Sequence, residues 1–366
     1  MTTPTSNESR RGDRALVITG AAGWLGRALV SRASSNASSL GVSAVHALVR
    51  DAHEEAVVRA TWGLPHESDA ASVPLHVVSG DIVDPTTVAR LLAPVEGGAD
   101  LVHTAGVIHP ARISDFHDVN VTGTTNVTQA SIAHGDVRLV HVSSNSPFGT
   151  NPHPGDRFRG IEPYNPYLAY GDSKMAGELA VLDATARGLA TAIVRPPWFY
   201  GPFQPARQTT FFSMVKAGRF PVFGRGDQRR SMVFIDNLVD GVLAARNHLA
   251  SGGESGRGWW VADRNPYSVS EIVETVGRAL RDEGHTVKPN RLRLPDIVGR
   301  VAEKADRIIQ ETGRYNQQVH VLGEMNKSIA CDITRTTDEI GYVPRVDLYE
   351  GMRISIRWCA EQGIQL

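Results

Sequence analysis

The stretch Thr19-Gly-Ala-Ala-Gly-Trp-Leu-Gly26 constrains this chain more than any other. It follows a β-branched, apolar run at residues 14–19 and precedes a helical pattern at residues 24–32. A glycine turn between a strand and a helix is a place where a phosphate can meet backbone. Gly20 permits the tight turn, Gly23 lets amides approach a pyrophosphate, and Gly26 lets the helix pack closely on the strand. Trp24 and Leu25 open the helix, whose free N–H groups and positive dipole end face the anion. The strand before and the helix after separate a dinucleotide cradle from a merely structural glycine turn. Gly20, Gly23, Trp24, Leu25 and Gly26 are the expected contacts.

The rest of the first half repeats that alternation. Further strands are expected at residues 45–49, 75–78, 100–103, 138–142 and 191–194, with helical patterns between them, notably at 118–134 and 173–187. Strand, helix, strand in repeated order predicts an α/β fold: a doubly wound parallel sheet, or Rossmann fold, covered on both faces. Ligands of such sheets sit at the carboxyl ends of the strands. After about residue 200 the pattern loosens. Helices return at 237–248 and 268–281, and Trp259-Trp-Val261 reads as a strand rejoining the main sheet. The expected organisation is a flexible tail at 1–13 and a dinucleotide domain at 14–200, with a returning segment at about 231–262. Residues 201–366 form mainly a smaller, mixed substrate-binding lobe.

Composition removes several function classes. Lys plus Arg is 38 against 39 Asp plus Glu, a net charge of −1, so no basic surface for nucleic acid is expected. No apolar run is long enough to span a membrane, and the N-terminus lacks the apolar core of a signal peptide. Two cysteines, Cys331 and Cys359, build no disulfide framework and fit a reducing, cytoplasmic setting. The histidines show no ligand spacing, so no metal is expected.

The residues after the second strand choose the cofactor. An acid there would bind ribose hydroxyls. This chain has Val49-Arg50-Asp51. Arg50 suits a 2′-phosphate, which favours NADP, while Asp51 turned inward would favour NAD. Asp81 and Ile82, after the third strand, can bracket an adenine, or Asp81 can simply cap a helix.

Tyr170-Gly-Asp-Ser-Lys174 opens a helical pattern, with Tyr170 and Lys174 one turn apart on one face. A free phenol is a poor base at neutral pH, and a nearby ammonium favours its ionised form. The pair can exchange a proton with a hydroxyl or carbonyl while a nicotinamide exchanges hydride. Val142-Ser-Ser144 ends the fifth strand, where one serine hydroxyl can hold the reacting oxygen.

With these motifs in place, the chain resembles the extended short-chain dehydrogenases/reductases. That group includes nucleotide-sugar epimerases, sugar dehydratases, dihydroflavonol-type reductases and 3β-hydroxysteroid dehydrogenases. Supporting matches include Gly80-Asp-Ile82, His103-Thr-Ala-Gly106, Asn120-Val-Thr-Gly-Thr124, Arg195-Pro-Pro-Trp-Phe-Tyr-Gly-Pro202 and Phe234-Ile-Asp-Asn-Leu238. The resemblance selects Ser144 over Ser143 and implies Tyr170 as acid/base. It gives Lys174 a second role on the nicotinamide ribose. It places His103, Ala105 and Gly106 beneath the cofactor and Pro197 beside the nicotinamide. Asn120 reads only as a helix residue whose amide holds backbone together. The resemblance also implies a homodimer, paired through helices 118–134 and 173–187.

Dehydratases of the group carry Thr-Asp-Glu in the serine loop. Here the loop is Ser144-Asn145-Ser146, without a carboxylic proton donor, which argues against dehydration. Hydride transfer at a secondary alcohol or ketone carbon remains, by an epimerase or a net dehydrogenase. Arg230 falls where nucleotide-sugar enzymes bind the diphosphate, though a solvated basic turn reads equally simply. The alternative substrate is steroid- or flavonol-like and apolar, against the aromatics Trp198, Phe199, Phe203, Phe211 and Phe212. A dinucleotide-binding sensor without catalysis is a further alternative; it would not need Ser144, Tyr170 and Lys174 together.

Overall fold

A computed structural model describes residues 14–64, 73–153 and 155–366; the expected tail at 1–13 lies outside these. The first half alternates β1 (Ala15–Thr19), α1 (Trp24–Leu40), β2 (Val45–Val49), α2 (Ala52–Trp62), β3 (Leu75–Ser79), α3 (Pro85–Leu92), β4 (Ala99–His103), α4 (Ser114–His117), α5 (Gly123–His134), β5 (Val137–Val142), α6 (Leu168–Ala186) and β6 (Ala190–Arg195). Then come β7 (Trp198–Tyr200), α7 (Ala206–Lys216), β8 (Val222–Phe223), β9 (Arg229–Arg230), β10 (Met232–Phe234), α8 (Ile235–Ala250) and β11 (Arg257–Trp260).

The main sheet has seven strands in the order β11-β6-β5-β4-β1-β2-β3, every neighbouring pair parallel. β1, β2 and β4 are buried at every residue, because helices cover both faces. Side chains alternate between two cores. Leu16 and Ile18 of β1 join Leu29, Ala47 and Val242, whereas Ala15 and Val17 join Leu101, Val127 and Val181. The direction of strand addition reverses between β1 and β4. A crevice opens at their carboxyl ends, at the topological switch point.

The strand expected around Trp259 exists as β11 and pairs with β6 as the seventh strand. Two helices differ from expectation. The helix starting at Trp24 runs on to Leu40, with an irregular Asn36, because Ser and Ala residues still permit helix until Gly41 takes the left-handed cap. The helix expected over 118–134 is interrupted by a wider π-type turn at Asp118–Thr122, which holds Asn120. Such turns interrupt the i→i+4 ladder and recur at functional sites.

The C-terminal lobe contains α9 (Val269–Asp282), α10 (Asp296–Glu311), α11 (Gln317–Glu324), α12 (Thr334–Ile340) and α13 (Leu348–Glu361). It is mixed, with short strand pairs joining β9 to Tyr267–Ser268 and β8 to Arg293–Leu294. It closes over the crevice edge: Ile113 donates to Gly313 O at 3.1 Å, and Ala169 donates to Gln310 Oε1 at 3.1 Å. No helix among the described residues is long and apolar enough to cross a membrane.

Candidate active site

The cradle is built from backbone. Gly20 has φ +65°, and a Cβ there would stand 2.7 Å from the Ala105 backbone. At Gly26 a Cβ would stand 2.1 Å from Gly20 O. Both positions require glycine. Gly23 caps α1 without any side-chain hydrogen bond, and no acid occupies the helix's first turn. The N–H groups at this helix end are left available to an anion. Leu25 is buried in the core and can contribute only backbone. The Trp24 indole donates to Pro202 O at 2.7 Å and packs 4.6 Å from the Phe199 ring.

Beside the cradle, a chain of hydrogen bonds ties the strand ends together. Thr19 Oγ1 lies 2.7 Å from His103 Nδ1, and His103 Nε2 lies 3.0 Å from Thr124 Oγ1. The Thr124 hydroxyl donates to Asn120 O at 2.7 Å. It therefore accepts from His103, so the proton sits on Nε2 and Nδ1 accepts from Thr19. His103 is fully buried, and burial lowers its pKa to about 3. Its ring is engaged within the protein, so toward a dinucleotide it can offer only backbone. Ala105 and Gly106 follow it at the crevice, Gly106 exposed. Asn120 clamps Val107 in both directions, with Val107 N to Oδ1 at 2.8 Å and Nδ2 to Val107 O at 3.0 Å. The same amide donates to Ser173 Oγ at 3.0 Å, and the Ser173 hydroxyl donates to Tyr170 O at 2.8 Å.

Tyr170 stands in the first turn of α6, beside Phe116 at 5.7 Å. Burial raises its pKa to about 12, against a hydrogen bond from Ser144 and the charge of Arg207, which lower it. The Ser144 hydroxyl accepts from Ser146 N at 3.3 Å and acts to lower the pKa of the phenol, whereas the buried Ser143 hydroxyl has no partner. Lys174 is buried, which lowers its pKa to about 8, and its Nζ donates to Val142 O at 2.9 Å. Arg207 adds positive charge near the phenol, and sequence reasoning did not single it out. Behind Lys174, Glu178 is fully buried and bonded by Arg195 at 2.7 Å and by Tyr164 OH at 2.7 Å. Pro197 is buried just beyond β6.

Four expected polar ligand arms are already engaged. Arg50 is exposed but bonds Glu54 through Nε at 2.6 Å and through its backbone N at 2.8 Å. Asp51 and Asp81 add negative charge around it. Asp51 caps α2 by accepting from Glu54 N at 2.9 Å. Asp81 accepts from Val83 N at 3.0 Å. Ile82 is buried against Gly123 rather than presented as a free face. Arg230 is nearly buried, and its Nη2 donates to Glu324 O at 2.6 Å, so it braces α11.

Residues 16–262 match the NAD dependent epimerase/dehydratase family. The uncharacterized protein y4nL of Sinorhizobium fredii is 42% identical over 356 residues, spanning 95% of this chain and 96% of that protein. The 2-alkyl-3-oxoalkanoate reductase of Stenotrophomonas maltophilia is 24% identical over 344 residues, spanning 92% and 97%. Among solved structures, the UDP-glucuronic acid 4-epimerase of Bacillus cereus in complex with NAD superposes with a TM-score of 0.69 at 17% identity, covering 95% of this chain and 99% of that one. It shares the fold. This chain belongs to the NAD dependent epimerase/dehydratase family.

Proposed function

We propose that this chain transfers hydride at a secondary alcohol or ketone carbon of a nucleotide-sugar, with Tyr170 moving the proton. The carrying observation is the grouping of Tyr170 and Lys174 at the start of α6 with the serine end of β5, where Lys174 Nζ donates to Val142 O at 2.9 Å, at the carboxyl end of the sheet beside the glycine cradle. The backbone around Gly20, Gly23 and Gly26 would hold the dinucleotide, with Lys174 on its ribose and Ala105, Gly106 and Pro197 along its length. When bound, the nicotinamide supplies the hydride acceptor or donor.

Tyr170 is a neutral phenol here, so as it stands it donates a proton to a carbonyl oxygen being reduced. In the oxidising direction it must accept one, and a cation near the phenol eases that step. Ser144 orients the oxygen. Burial lowers the Lys174 pKa to about 8, so its ammonium gives up a proton more readily than an exposed lysine does. The serine loop offers Asn145 and Ser146 and no carboxyl group, so the proposed reaction ends at hydride and proton transfer without loss of water.

NADP is the expectation from Arg50, but the surroundings of that residue favour NAD. Glu54 occupies the guanidinium, and Asp51 and Asp81 would repel a 2′-phosphate. A second reading, reduction of a 3-oxo acid, is favoured by the oxoalkanoate reductase, whose length this chain matches nearly end to end. The test is NADH formation by NAD-loaded protein given UDP-glucose, UDP-glucuronic acid or 3-hydroxyoctanoate, with product analysis for epimers. Turnover of a sugar nucleotide supports the first reading. Turnover of the hydroxy acid alone supports the second.

A further inference from the structure

Amphipathic helices of globular proteins turn their apolar stripe to the core. The α10 helix does the reverse. Ile297, Val301 and Ile308 are 53%, 58% and 62% exposed. At ~100° per residue they fall within about 40° of one another, so they form one stripe along the outer side. Exposed apolar residues scattered singly are ordinary, whereas an aligned set marks an interaction face. The inner side of the helix is small and polar instead: Gly299, Ala302 and Asp306 are buried there, and Asp306 bonds His320 of α11 at 2.7 Å. A Cβ added at Gly323 of α11 would stand 2.9 Å from the Glu303 backbone. This close packing fixes which side of α10 faces outward.

One flank of the stripe is cationic. Arg300, Lys304 and Arg307 occupy the adjoining sector of the helix, all exposed, and among the described residues none of them forms an ion pair. Two of the helix's acids are spent elsewhere, Glu303 on Lys327 at 2.7 Å and Asp306 on His320. Asp296 and Glu311, one at each end, are exposed. With Arg291, Arg293 and Arg314 just beyond the ends, residues 291–314 carry six exposed cations against these two exposed acids. The whole chain has a net charge of only −1, so this excess is local.

We propose that the outer face of α10 docks this protein onto an anionic lipid surface. An apolar stripe with a basic flank suits a helix lying in the plane of a bilayer: the apolar side chains enter the acyl boundary and the long basic ones reach the headgroups. A second copy of this chain is the poorer occupant, because its own α10 would bring the same cations to the contact. Docking of this kind needs no membrane-crossing helix. The C-terminal end of α10 reaches the crevice edge, where Gln310 Oε1 accepts from Ala169 N, the neighbour of Tyr170. A docked α10 therefore brings that edge close to the lipid. The proposal does not depend on the reaction proposed above.

The experiment is co-sedimentation of the full-length protein with vesicles of phosphatidylcholine alone, and of phosphatidylcholine with about 30% phosphatidylglycerol, at low salt. Binding to the mixed vesicles should be about tenfold or more tighter than to the neutral ones. Ile297→Ser, Val301→Ser and Ile308→Ser combined should weaken it about tenfold or more, because binding scales with buried apolar area. Arg300→Gln, Lys304→Gln and Arg307→Gln combined should bring the mixed vesicles within about twofold of the neutral ones. Arg300→Lys with Arg307→Lys, which keeps the charge, should bind as wild type does. No preference for the anionic vesicles, or wild-type binding by either combined variant, overturns the proposal. So does a wild-type dimer in light scattering that the serine variant dissolves, which would make α10 an interface between copies.

Discussion

The two sides of the crevice are made of different material. The proposed cofactor side is backbone: one contiguous turn, Gly20 to Gly26, with a helix end that no side chain caps. The proposed substrate side is side chain: Phe116, Tyr170 and Tyr315 arrive from three separated segments, one of them beyond β6. A site made of backbone is fixed once its strand and helix pack, and it tolerates no added atom. A site made of side chains tolerates substitution and can change its ligand while the fold stays intact.

The largest effect should come from breaking the backbone side. Gly26→Ala would press a methyl group onto Gly20 O, where the available distance is 2.1 Å. Nucleotide titration should show NAD affinity falling about a hundredfold or more, with a stability loss of about 1–3 kcal/mol from overpacking. Full NAD binding in this variant would mean the turn is not the cradle.

The support beneath the substrate side should cost stability rather than specificity. Glu178 is fully buried and answers Arg195, so Glu178→Ala leaves a guanidinium buried and unpaired. Chemical denaturation should show a loss of about 3–5 kcal/mol.

His103, which joins the two sides, gives a smaller effect that depends on pH. Its folded pKa of about 3 lies below the ordinary 6.5. Between these values the unfolded chain binds the extra proton, so stability should fall as pH falls through that window, by at most about 1.4 kcal/mol per unit. His103→Gln should remove that share of the slope in urea titrations. An unchanged slope would show that His103 titrates normally.

The smallest effect belongs to the cofactor rim. Glu54→Gln frees Arg50 from an exposed pair worth little by itself. It should improve NADP affinity by about three- to tenfold and leave NAD unchanged. A wild type that already prefers NADP would contradict the assignment of NAD.

Most of the backbone side was legible in the sequence, because a strand, three spaced glycines and a helix are local and contiguous. The placing of Tyr170 and Lys174 on one helix was legible for a similar reason, whereas the choice of Ser144 over Ser143 came from the family resemblance. The packing of Arg207 over Trp24 was not legible, since the two lie far apart in the chain. Arg230 was read as a ligand arm from the family resemblance, and its partner Glu324, 94 residues away, could not be seen locally. Glu54 was nearer to hand, four residues after Arg50, a spacing that already implies a pair on a helix. His103 was placed near the cofactor by motif, but only the register of β1 with β4 reveals Thr19 as its partner.

The most direct test of the account is Tyr170→Phe, which keeps the ring against Phe116 and removes only the hydroxyl. Single-turnover NADH formation should be measured with NAD-loaded protein and whichever alcohol the substrate panel identifies. The account predicts NAD affinity within about twofold of wild type and a rate lower by about 10²–10⁴. Hydride transfer at the wild-type rate in this variant would contradict it.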